Sequence, residues 1–114
     1  MQSNDLQRIQ YIKQYCNDII GFMKRFGNYQ QLISDRAYHS AISMCLLQIG
    51  ELAGGLSNEF REETKERMQW GLLRGMRNWI AHSYQEMDNE IIWDIISNSI
   101  PLLLIFCDEV LSQA

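Results

Sequence analysis

Four side chains in one short stretch carry the chemical potential of this sequence: Arg77, Asn78, His82 and Tyr84. A histidine titrates near neutral pH, so it can take a proton from a hydroxyl and later return one. An arginine offers a planar fork of N–H donors that matches a phosphate and offsets charge growing on it. Together they suit attack of a ribose 2′-hydroxyl on its neighbouring phosphate, a cleavage of RNA in which no metal ion or cofactor is required. Asn78 can hold the imidazole in one tautomer, and Tyr84 can donate a hydrogen bond or pack against a base. On a helix, Asn78 and His82 share a face, and so do Arg77 and Tyr84. Arg77 and His82 stand about 140° apart around the axis. An unwound last turn could close that gap within one chain. A twofold axis could close it between two chains, setting one copy's Arg77 near the other's His82. The plain alternative is a surface arginine and a histidine placed as a favourable cation at a helix carboxyl end.

The charge pattern around these residues is local. The chain of 114 residues carries a formal net charge of -4, which is not the basic footprint usual for nucleic-acid binding. From Arg67 to Gln85, however, the charged residues are Arg67, Arg74 and Arg77, with no acid, and acids resume at Glu86, Asp88 and Glu90. A basic strip on an acidic background is therefore expected.

The elements that must position these groups all read at a period near 3.6. A first helix is expected from Asn4 as cap to Phe26, with Leu6, Ile9, Ile12, Cys16, Ile19, Met23 and Phe26 in one stripe and Gly27 as the stop. A second spans about Leu32 to Leu56, with an irregular first turn and fraying at Gly54 and Gly55. Gly50 lies between apolar positions and suits a close helix crossing. Ser57 or Asn58 caps a short charged helix. The next runs from about Met68 to His82, with Trp70, Leu73, Met76 and Ile80 inward. Leu72 and Trp79 fall off that stripe, and their surplus apolar surface suits another subunit. Asp88 or Asn89 caps a last helix through Ile92, Ile95, Ile96, Ile100, Leu103, Phe106 and Val110, kinked or restarted at Pro101. The fold class is all-α: a single domain over residues 1–114, an up-and-down bundle of four or five helices. A domain this small leaves much surface uncovered, so a symmetric homodimer is expected.

Other classes recede. The sequence is 46% hydrophobic and 21% charged, ordinary for a globular protein. The amino terminus lacks the pattern of a signal peptide. The uncharged stretch from Ile95 to Cys107 is shorter than the ~20 apolar residues of a membrane span, so a buried helix or helix pair is expected there, in a cytoplasmic protein. Cys16, Cys45 and Cys107 read as small buried hydrophobes. His39 reads as a solvent-facing helix residue, and neither histidine has clustered partners for a metal site.

With Arg77-x-x-x-x-His82 and the Asn78 that follows the arginine, the sequence resembles the HEPN superfamily. The extension to Tyr84 resembles its HepT-like toxin branch. Ser34-Asp35-Arg36, Ile49-Gly50-Glu51-Leu52-Ala53, Trp70 through Asn78, and Ile92-Trp93 through Ile100-Pro101-Leu102-Leu103 fall in the order that branch shows, so the resemblance covers the chain from about Gly27 onward. It implies a helical homodimer whose Arg77 and His82 meet in a cleft at the subunit interface. It further implies a metal-independent RNA endonuclease and toxin, paired with an antitoxin of the minimal nucleotidyltransferase type that silences it by adenylylating Tyr84. Glu51 matches a family position and is a candidate to pair with an arginine near the cleft, the alternative being a role in catalysis; Arg74 is a further candidate to support the motif. Where relatives often carry proline, Gln69 precedes Trp70, so the entry to that helix can differ. The alternative reading of the same residues is a non-catalytic helical module that docks a partner and binds nucleotide or RNA without cutting it.

Overall fold

The computed structural model describes residues 3–83 and 88–114. Leu6 aside, the first stripe lies in or against the core of the first helix, α1 (Ser3–Phe26), with Ile9, Ile12, Cys16 and Ile19 fully buried. Asn4 lies inside this helix and does not cap it. At Gly27 the chain adopts a φ of 109°, a left-handed turn that glycine enters without a Cβ clash, and its N–H closes on the Met23 carbonyl at 3.0 Å.

The second expected helix is two. Asn28 caps α2 (Tyr29–Ser34), and Asp35 caps α3 (Arg36–Gly54) by accepting from the N–H groups of Ala37 and Tyr38. An aspartate whose carboxylate binds backbone two and three residues ahead offers a fresh start that competes with continuing the helix. Ser57 then caps α4 (Asn58–Thr64), and its own N–H and hydroxyl donate to the buried Asp5 carboxylate at 2.7 and 2.6 Å. One acid thus ties the start of α1 to the α3–α4 corner.

The motif helix is α5 (Trp70–Ser83), which Trp70 anchors by donating its Nε1–H to Thr64 Oγ1 at 2.9 Å and by meeting Phe60 and Phe106 edge to face or tilted. Asp88 caps α6 (Asn89–Asp94). A π-helical turn, Ile95–Ser99, leads into α7 (Ile100–Ser112). Pro101 lacks an N–H and its ring crowds the preceding turn. The wider turn ahead of it accommodates both without a sharp bend. The run from Asn89 to Ser112 is thereby one continuous 24-residue piece, long and apolar enough by itself to cross a membrane. Ile92, Ile96, Ile100, Leu103, Phe106, Cys107 and Val110 along it are instead buried in the domain core.

The long elements pack in the order α5, α3, α1, α7, and among the described residues there is no strand. Cys16, Cys45 and Cys107 are free and buried between them, and burial pushes the thiols up, Cys45 to about 11 and Cys107 to about 12. His39 is not solvent-facing: its Nε2 lies 2.8 Å from Asn89 Oδ1, tying the start of α3 to the start of α6.

Candidate functional site

Gly50 decides where the motif sits. A Cβ placed on it would stand 2.5 Å from Cβ of Arg77 and 2.9 Å from the Leu73 carbonyl oxygen, so only glycine lets α3 and α5 cross this closely. The ~1 kcal/mol that a helical glycine forfeits is offset by the packing of these two helices, which share the most extensive contact in the fold. The crossing turns Arg77 towards α3. There its Nε–H donates to Glu51 Oε1, one residue past Gly50, and its Nη1 donates to Asn78 Oδ1 at 3.1 Å. A guanidinium has five N–H donors, and these two partners fix its plane while leaving the other donors available. The pair is well exposed, so it orients the arginine more than it stabilises the fold.

Asn78 therefore sits differently from its place in the sequence reading. Its carbonyl oxygen serves Arg77, and among the described residues no hydrogen bond joins it to His82. The physical reason is Glu51, which draws the guanidinium to the flank where the adjacent asparagine can accept from it. His82 is exposed in the last turn of α5, which stays helical through Ser83. With no unwinding there, the ~140° offset persists, and one chain keeps Arg77 and His82 on different flanks. Tyr84 lies outside the described residues.

Arg77 and Asn78 open onto a cleft of about 450 Å³, lined also by Glu51, Arg74, the glycines at the end of α3, and Arg8 of α1. His82 is not among its lining residues. The basic strip is corrected by one member. Arg67 pairs with Glu109, lies 4.8 Å over the Phe106 ring and does not line this cleft. Arg8 takes the third place instead.

Residues 12–110 match the family described as ribonuclease HepT-like. The chain belongs to this family. Membership places it among ribonucleases. It is 29% identical to a candidate RNase of Methanocaldococcus jannaschii over 89% of this chain and 92% of the relative. It is 30% identical to a second from the same archaeon, over 89% of this chain and 83% of that one. To a candidate RNase of Caldanaerobacter subterraneus it is 30% identical over 83% of each. No solved structure matches the chain.

In this HepT-like chain, Glu51 and Arg74 lie beside Arg77 as the family resemblance implies, and Arg8 is a cleft residue that the sequence does not reveal. Nothing local marks Arg8, since it arrives from α1 across the fold. The paired glycines at 54 and 55 were the available signal. They are the floor on which arginines lie, and they close α3 without any left-handed residue.

Proposed function

We propose that this HepT-like protein is a metal-independent RNA endonuclease whose working site is composite, with Arg77 from one copy and His82 from a second. The observation that carries this reading is the separation of the two side chains within one chain, on a helix that stays regular through Ser83. Neither group is idle in such a site. The His82 imidazole takes the proton of a 2′-hydroxyl as the oxygen bonds to phosphorus, and the 5′-oxygen leaves with a proton from solvent or from an imidazolium. Arg77, held by Glu51 and Asn78, directs its remaining N–H donors at the phosphoryl oxygens where charge develops. The products are a 2′,3′-cyclic phosphate and a 5′-hydroxyl.

The exposed face of α5 supports a second copy. Gly71, Gly75, Asn78 and His82 follow one another at helical spacing, and among the described residues nothing lies within 4 Å of a Cβ placed on either glycine. Leu72 beside them is 68% exposed. Such a bare stripe lets another helix approach closely and delivers it to Asn78 and His82. The protein acts in the cytoplasm as the toxin of a toxin–antitoxin pair. Its partner is a minimal nucleotidyltransferase that silences it by adenylylating Tyr84, because a bulky anion next to His82 repels RNA phosphate.

Expression of wild type and His82→Ala without a partner tests the catalytic claim. Growth arrest and RNA fragmentation are expected from wild type alone. Identical behaviour of the two removes the nuclease reading in favour of a binding module that docks its partner without cutting. Intact-mass measurement after co-expression tests the modification: wild type gains adenylyl mass and Tyr84→Phe does not.

A further inference from the structure

We propose that Arg8 and Arg74 grip a second phosphate of the RNA strand in the cleft beside Arg77, a backbone subsite adjoining the scissile position. The inference rests on the RNA-cleaving reading and adds residues to it. The cleft brings three arginines together from two elements, Arg8 from α1 and Arg74 and Arg77 from α5, against one acid, Glu51. That local excess of positive charge stands out on a chain of net charge -4. Arg77 is held by Glu51 and Asn78. Among the described residues, Arg8 and Arg74 have no hydrogen-bond or ion-pair partner. Arg61 donates to Asn58, Arg25 lies over Phe26, and Arg67 pairs with Glu109, while Arg36, at the start of α3, does not line the cleft.

The floor beneath them is shaped for this. A Cβ on Gly55 would overlap the Arg8 guanidinium, and one on Gly54 would touch Cγ and Nε of Arg74 at 3.7 Å. Glycine at both places lets two guanidinium heads lie low in the cleft. Cations set in a concave site without a counter-ion among the described residues invite an anion, and the arginine fork fits phosphate oxygens in two-point fashion. Arg74 and Arg77 are three apart on α5, neighbours on one side of the helix, so a strand seated at Arg77 passes Arg74 next.

The test is fluorescence anisotropy of the purified full chain with a labelled single-stranded 2′-O-methyl RNA, which cannot be cut, across a salt series. Arg8→Ala and Arg74→Ala are each expected to weaken binding roughly tenfold and to lower the magnitude of the salt slope by about 0.7, the value for one phosphate on a single strand. Gly55→Ala is expected to reproduce the Arg8→Ala loss while melting near wild type, because its new Cβ meets only the movable end of a side chain. Arg8→Lys keeps the charge, loses the fork, and recovers part of the affinity. Arg61→Ala, away from the cleft, is expected to bind like wild type.

RNA binding that is intact in Arg8→Ala and Arg74→Ala overturns the subsite while leaving the nuclease reading in place. Failure of wild type both to bind this RNA and to cleave its unmodified counterpart overturns the two together. A parallel arm with ATP separates the other source of phosphate. Binding of ATP that depends on Arg8 and Arg74, with RNA binding indifferent to them, gives the cleft to a nucleotide and overturns its assignment to the strand.

Discussion

Substituting Gly50 by alanine puts the helix crossing itself on trial. The new Cβ would lie 2.5 Å from Cβ of Arg77, 2.9 Å from the Leu73 carbonyl oxygen and 3.1 Å from Cα of Arg77. Ordinary contact begins at 3.4 Å, so α5 must withdraw by close to 1 Å at this point. Two of the three atoms are backbone and cannot swing aside. Overpacking of this kind costs ~1–3 kcal/mol, and the helix preference of alanine over glycine returns ~1 kcal/mol. Since backbone must move, the upper part of that range applies. A net loss of roughly 1–2 kcal/mol lowers the melting temperature by about 4–10 °C in a domain of this size. The shift also carries Arg77 away from Glu51, and a misplacement of ~1 Å in a reacting group can reduce the rate about 100-fold. Circular-dichroism melts and cleavage of a labelled RNA read both effects. Gly21→Ala is the control, because nothing lies within 4 Å of its Cβ, and it is expected to gain ~0.5–1 kcal/mol. A Gly50→Ala protein that melts at or above wild type and cuts RNA at full rate would refute the close-crossing argument.

Glu51→Ala is expected to leave stability within ~1 kcal/mol, since the ion pair is exposed, yet to reduce cleavage at least tenfold by freeing the Arg77 guanidinium; Glu51→Gln, which still accepts a hydrogen bond, retains more activity. Asp5→Ala removes a buried acceptor from both the N–H and the hydroxyl of Ser57 and is expected to cost ~2–3 kcal/mol in chemical denaturation. The buried thiols titrate above their ordinary 9.0 in the fold, Cys45 at about 11 and Cys107 at about 12. Their folded values are raised, so their contribution to stability is complete below pH 9 and is lost as the pH climbs towards the folded values, at up to ~1.4 kcal/mol per pH unit for each thiol. Melts from pH 8 to 10.5 check this decline, and native protein at pH 8 is expected to resist a thiol reagent that labels the unfolded chain at once.

The helices were legible in the sequence because their signals are local. The 3.6-residue stripes, the Ser57 and Asp88 caps and the Gly27 stop each depend on neighbours a few residues away. The break at Asp35 was less so, since the apolar period runs on from Leu32 into Ile42 and only the aspartate's capping bonds reset the helix. A kink or restart is expected at Pro101, but a π-helical turn ahead of it keeps the run continuous. At the site, the motif could be read from residue types and spacing, Glu51 came only with the family resemblance, and Gly50 pointed to the crossing. The departures came where side chains choose partners across the fold: Arg67 finds Glu109 and Phe106, His39 finds Asn89, and Arg8 reaches the end of α3. Those choices depend on tertiary geometry, which spacing along one element does not encode.

Mixing two inactive chains tests the composite site most directly. Arg77→Ala retains His82, and His82→Ala retains Arg77, so a dimer of one with the other contains one intact pair and one empty pair. After unfolding and co-refolding of equal amounts, the mixture is expected to recover about a quarter of wild-type cleavage, from random pairing and one working site per mixed dimer. No recovery, in a mixture shown by native mass spectrometry to contain that mixed dimer, would contradict a site built from Arg77 of one copy and His82 of the other.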